Sequence, residues 1–133
     1  MGYYSEVTIM AQPKAYKMII ESIRNHNKQE PYKFEPSKIW QGCEDGIGEY
    51  YLPQWDWIKW YQDFKEVQAV EEVLDKLVSD YYEKDGYGFK EIIIHEDNQT
   101  EEKCNMPFVG VYMFVTCKVD FEIGATKEIQ EEL

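Results

Sequence analysis

From Val67 onward the chain carries a pattern that only a helix can use. Val67, Val70, Val73, Leu74, Leu77, Val78 and Tyr81 recur at spacings of three and four, while Glu71, Glu72, Asp75 and Asp80 lie off that line. A period near 3.6 marks an amphipathic α-helix with one buried face. Asp63 and Glu66 stand at capping-box spacing, with Asp63 as N-cap and Glu66 three residues on. The helix is expected over residues 66–82, ended by Asp85-Gly86 and Gly88. Its apolar face needs a sheet to lie on.

The rest of the chain supplies one. Residues 3–11 alternate, with Val7, Ile9 and Ala11 facing in and Glu6 and Thr8 facing out. Pro13 opens a second helix, carrying Tyr16, Ile19, Ile20 and Ile23 on one face and fading near His26-Asn27. Residues 28–36 are polar, with Pro31 and Pro36, and read as a loop. Lys38 to Gln41 is a short strand leading to the turn signature Glu44-Asp45-Gly46-Ile47-Gly48. Residues 38–60 therefore read as a hairpin, in which Pro53 implies a bulge, a break or a sheet edge. Residues 89–95 form a strand through Ile92-Ile93-Ile94, and 96–106 a polar loop. Residues 108–122 show the clearest period of two. Val109, Val111, Met113, Val115, Cys117, Val119 and Phe121 share one side; Tyr112 and Phe114 join the polar residues on the other.

The order β-α-β-β-α-β-β implies an α+β fold of ferredoxin-like type, an antiparallel sheet with two helices on one face. The other face is expected to be open to solvent or to a partner. The length of 133 residues suits a single domain, here residues 1–123, followed by an acidic C-terminal tail over 124–133.

Charge limits the partners. The net charge is -12, and the acidity is confined to one part: residues 1–42 sum to +2 and residues 43–133 to −14. Such a chain is ill suited to binding nucleic acid through its phosphates or an anionic membrane surface. It complements basic protein surfaces. Arg24 is its only arginine, so a bidentate phosphate clamp has little to build on. No stretch has the length of a membrane span, and no signal-peptide pattern opens the chain. Cys43, Cys104 and Cys117 fit no metal spacing and read as free thiols of a reducing compartment, which points to the cytoplasm.

Leu52-Pro53-Gln54-Trp55-Asp56-Trp57-Ile58-Lys59-Trp60-Tyr61 places three of the four tryptophans within six residues. On a regular strand Trp55 and Trp57 share one face, and Ile58 and Trp60 the other. Both faces are then apolar. Tryptophan is enriched at binding hot spots, so Trp55, Trp57 and Trp60 are candidate anchors, with Asp56 beside them to hold a basic group. Tyr112 and Phe114 join them on the expected open face. Glu71, Glu72 and Asp75 supply an acidic helix surface next to it. An uncovered apolar strand also suggests a homodimer.

Catalytic patterns are weaker. His95 precedes Glu96 and Asp97, but no second ligand of metal-site spacing accompanies it. Paired carboxylates at Glu44-Asp45, Glu71-Glu72, Glu96-Asp97 and Glu101-Glu102 sit mostly in turns or on a solvated helix face. Gly42, Gly46 and Gly48 make no phosphate loop. No cofactor motif is present. The expectation is a non-enzymatic protein.

Tyr3-Tyr4-Ser5-Glu6-Val7, then Trp57-Ile58-Lys59-Trp60-Tyr61, then the acidic helix from Val67 resemble a group of small phage and prophage proteins of Gram-positive bacteria. The resemblance spans most of residues 3–80 and rests on aromatic and structural motifs. It implies a setting inside a bacterial host cell and transfers no site residues. Small acidic phage proteins of this kind resemble inhibitors of host defence. The expectation is therefore a phage-derived inhibitor of a host protein, defensive or nucleic-acid-binding, engaged through an acidic and aromatic surface. A nucleotide-binding or sequestering protein, and an oligomeric virion protein, are the alternatives.

Overall fold

A computed structural model describes residues 3–44, 48–105 and 127–133. Strands β1 (Ser5–Ala11), β2 (Lys38–Glu44), β3 (Gly48–Ile58), β4 (Phe89–His95), β5 (Thr100–Cys104) and β6 (Lys127–Ile129) form one sheet in the order β5-β4-β1-β3-β2-β6. Every pairing is antiparallel. The helices are α1 (Pro13–Gln29) and α2 (Lys65–Asp80). The inner order β4-β1-β3-β2 is the ferredoxin-like arrangement expected of split β-α-β units, and β5 and β6 extend its two edges.

Register decides which residues meet the helices. Val7 stands opposite Trp55 on β3 and Ile93 on β4, and Ala11 opposite Phe89. These side chains pack with Ile19, Ile20 and Ile23 of α1 and with Val67, Val70, Leu74 and Leu77 of α2, all buried in one core. Val73, expected among the buried residues, is only half-buried against it.

Helix α1 starts at Pro13 as its sequence implies, but no side chain caps it. The backbone N–H groups of Lys14 and Ala15 donate instead to the carbonyl of Gly86, at 3.0 and 3.2 Å. Gly86 has φ +84°, a left-handed conformation that glycine adopts without a Cβ penalty. The turn after α2 is thus the cap of α1. At the other end of that turn Asn105, fully buried, donates to the carbonyls of Leu77 and Tyr87 and accepts from the N–H of Phe89.

Several expectations fail in instructive ways. Helix α2 begins with Phe64 at the N-cap, with no side-chain cap, rather than with Asp63. The Phe64 ring packs on Tyr61 and the core, which sets the helix start one residue later than the capping box implied. Pro53 lies inside β3 with neighbours on both sides, opposite Ile39, rather than at an edge. Residues 100–104, expected in a loop, pair with β4 as the edge strand β5. Residues 127–133 of the expected acidic tail are tied to the fold. Lys127–Ile129 pairs with β2, Arg24 holds Glu131 at 3.0 Å, and Leu133 packs on the core.

The face away from the helices is not open along its centre. Thr8, Met10, Leu52 and Gln54 alternate with the helix-facing set and are buried all the same. Their polar groups are matched: Gln54 donates to Thr8 at 3.3 Å and accepts from the Trp40 indole at 3.1 Å. The strand expected at 108–122, with Tyr112, Phe114 and Cys117, lies outside the described residues. No helix among the described residues is long and apolar enough to cross a membrane.

Candidate functional site

The tryptophan stretch does not keep strand alternation. Val7 pairs with Trp55, but Ser5 pairs with Ile58, so Asp56 and Trp57 together stand opposite Glu6. This β-bulge re-aims the chain. Trp57 takes φ +48°, a left-handed conformation that is unusual for a bulky residue, and stays 60% exposed. Trp55 turns into the core at 1% exposure, where its ring stacks on Phe34 at 5.6 Å and tilts against Trp60 at 5.2 Å. Trp60 lies beyond the strand end and is also buried.

Of the three expected anchors, only Trp57 is exposed. Trp55 faces the helices in regular register opposite Val7, the bulge breaks the phase only after it, and Trp60 turns into the core beyond the strand end. Asp56 is exposed, and its backbone N–H donates to Ser37 Oγ at 3.0 Å.

Trp57 stands at the sheet end where β1 begins and β4 finishes. Tyr3 and Tyr4 lie there, both more than one-third exposed. The Lys59 ammonium sits over the Tyr4 ring, 5.7 Å from its centroid. Glu96 Oε1 accepts from the Tyr4 N–H at 3.1 Å, and Asp97 accepts from the Tyr3 hydroxyl at 2.7 Å. Asp97 is thereby held below the usual carboxylate range, chiefly by that hydrogen bond. Exposed rings and carboxylates thus share one end of the sheet.

His95 links this cluster to the helix-covered face. Its ring lies 5.2 Å from Tyr3, its Nδ1 is 2.8 Å from Ser5 Oγ, and its Nε2 is 2.5 Å from Glu101 Oε2. Serine, histidine and carboxylate are the parts of a nucleophilic relay. Ser5 is only 1% exposed, however, so its hydroxyl is closed to a substrate and serves to fix the imidazole. Both ring nitrogens are engaged within the chain. Among the described residues no group of three or more His, Cys, Asp or Glu could hold a metal ion.

Behind Glu101 lies a second locus. Glu91 of β4 stands opposite Lys103 of β5 and points into the helix-covered face, 2% exposed. It shares a hydrogen bond with Glu71 of α2. Glu71 also accepts from Lys103 at 2.6 Å and from the Trp60 indole at 3.0 Å. Lys103 reaches on to Asp75 at 2.8 Å. Burial, then the hydrogen bond and charge of Glu71, push the Glu91 carboxyl far above the ordinary range. Burial acts on Glu71 as well, but hydrogen bonds from Glu91, Lys103 and Trp60 outweigh it and hold Glu71 ionised. Two carboxyl groups here share one proton.

The acidic helix surface divides accordingly. Glu72 faces solvent, Asp75 sits at the rim with its side chain 67% exposed, and Glu71 is internal. Glu91 went unnoticed in the sequence, although its alternation with Phe89 and Ile93 marks it as a charge on an apolar face. Cys43 lies on β2 and Cys104 on β5, both exposed and free. No protein-family model, curated protein or solved structure matches this chain.

Proposed function

We propose that the protein is a non-enzymatic binding module that engages a basic protein surface through the aromatic and acidic end of its sheet. One observation carries the reading. Trp57 is held out of the core by a bulge, in a backbone conformation that costs energy, beside exposed tyrosines and carboxylates. A strained and exposed tryptophan is hard to explain as packing, and strain of this kind gathers at functional sites. The ring provides a burial anchor, and the surrounding charge favours cationic side chains through salt-sensitive attraction.

In the setting implied by the phage resemblance, the partner is a protein of the bacterial cytoplasm and binding inhibits it. A nucleotide-sequestering role has less support. Aromatic rings are present at the sheet end, but Lys59 is the cation placed over one of them.

The test is paired affinity capture from nuclease-treated host lysate with the wild-type chain and Trp57→Ala, followed by reconstitution with the purified captured protein. The expected result is a basic partner whose dissociation quickens in the variant and whose association slows with salt. A partner bound equally by both chains would overturn the reading. So would a saturable thermal shift with nucleotides and no protein captured.

A further inference from the structure

A cleft of about 100 Å³ opens beside the Glu71–Glu91 pair, lined among others by Trp60, Glu101, Glu102 and Lys103. That space is several times the roughly 10–15 Å³ that one water requires. Glu91 is among the residues that line it. Glu91 Oε2 is buried and has no hydrogen-bond partner. A buried acceptor left unmade costs free energy, and the hydrogen bond that Glu91 shares with Glu71 does not reach this oxygen. Glu71 has both oxygens committed, one to Lys103 and one to the Trp60 indole. Lys103 is itself shared between Glu71 and Asp75.

The cleft mouth is acidic. Glu101 stands there with its side chain 63% exposed, against His95, while the Glu102 side chain turns to the other face of β5, against Lys90. The geometry points to the cleft as a receptor for the guanidinium of a partner's arginine side chain, inserted between Trp60 and Glu101 to donate to the Glu91 carboxylate. Guanidinium fits better than ammonium for two reasons. Its several donors reach acceptors in different directions, and its weakly hydrated plane lies against an aromatic ring. The inference rests on the reading of the chain as a binder of basic proteins, and it names the group bound.

Glu91 then changes state on binding. It is faced by Glu71 and Asp75 from α2, by Glu101 and Lys103 from β5, by the Trp60 indole and by apolar Ile9 of β1, with His95 further along its own strand. Without a ligand the pair keeps one proton. An incoming guanidinium replaces that proton as the partner of the Glu91 carboxylate, and the proton leaves to solvent. Arginine binding at neutral pH therefore releases close to one proton per site, and affinity rises with pH.

The test uses the full chain, with N-acetyl-arginine amide as probe and N-acetyl-lysine amide as control. Binding is followed through the Trp60 indole N–H signal, assigned with Trp60→Phe. Calorimetry in buffers of different ionisation enthalpy counts protons. The expected result is a saturable shift at millimolar arginine, a weaker response to lysine, and release of about one proton. Glu91→Gln keeps a neutral group of the same shape and should fold. It should weaken arginine binding roughly tenfold or more and abolish proton release. Equal binding by Glu91→Gln, or no saturable shift up to tens of millimolar, overturns the inference. If the cleft takes no arginine while capture of a basic partner still depends on Trp57, only this inference fails. If arginine saturates the cleft but no partner depends on Trp57, only the broader one does.

Discussion

Glu91 of β4 and Glu71 of α2 meet across the helix–sheet interface and share a hydrogen bond, so one of them must carry a proton. Burial assigns it to Glu91, whose side chain is the deeper of the two. A carboxyl whose folded pKa lies above its unfolded value stabilises the fold at low pH, and that contribution is lost as pH rises through the folded pKa. Glu71 has the opposite sign. Its contribution is present above the unfolded pKa and is lost as pH falls through the lowered one. Stability should therefore peak in the mildly acidic range. It should decline above that range with a slope approaching about 1.4 kcal/mol per pH unit for one proton. Urea unfolding over a pH series measures the slope. Glu91→Gln should flatten the alkaline limb and leave the acid limb in place.

Glu71 and Glu72 are adjacent in sequence but face different surroundings. Glu72→Lys should change stability by no more than about 0.5 kcal/mol, as exposed substitutions generally do, while slowing association with a basic partner. Glu71→Lys would set a cation against Lys103 and strand the Trp60 indole. It should cost about 3–5 kcal/mol, the usual range for breaking a buried ion pair. Equal stability of the two variants would show that the internal placement of Glu71 is wrong.

Leu74 is fully buried between α2 and the sheet. Leu74→Ala should destabilise by about 2–5 kcal/mol through lost burial and the cavity left behind. Val73→Ala, one residue earlier but only half-buried, should cost less than half as much. Chemical denaturation of both separates core from margin along the helix.

The helices and the inner strands were legible because their apolar residues obey one period each. Ile19, Ile20 and Ile23 can share a face only on a helix, and Val7, Ile9 and Ala11 only on a strand. Edge strand β5 was not legible. Thr100-Glu101-Glu102-Lys103-Cys104 is polar on both faces and reads like a loop; only its pairing with β4 makes it a strand. The candidate site was half legible. Strict alternation joined Trp57 to the face of Trp55, from which the bulge turns it away, and gave Trp60 a strand face although it lies beyond the strand end. One bulge residue cannot be seen in a period of two. Glu91 was visible as a charge between Phe89 and Ile93, yet its partners come from α2 and β5, whose approach no local pattern encodes.

Self-association was expected because the second face of the sheet looked uncovered. With Met10, Leu52 and Gln54 buried, that argument no longer holds along the centre of the sheet. The exposed Trp57 is the remaining aromatic of that strand that a homodimer can use. Sedimentation at tens of micromolar tests this. A wild-type dimer should become monomeric in Trp57→Asp, and a wild-type monomer leaves the tryptophan free for a different protein.

Trp57 gives the sharpest contrast with its neighbours. Trp55→Ala and Trp60→Ala empty the core and should each cost about 3–5 kcal/mol. Trp57→Gly should not. The residue is exposed at φ +48°, where a side chain carries a penalty of about 1–2 kcal/mol that glycine avoids. Trp57→Gly should therefore match or exceed the wild type in thermal stability while losing partner binding. That pattern, stability kept or gained and binding lost, distinguishes a residue held out for recognition from one that merely closes the fold. If Trp57→Gly instead destabilised the chain as much as Trp55→Ala does, the ring would be a packing element, and the case for the sheet end as a binding surface would go with it.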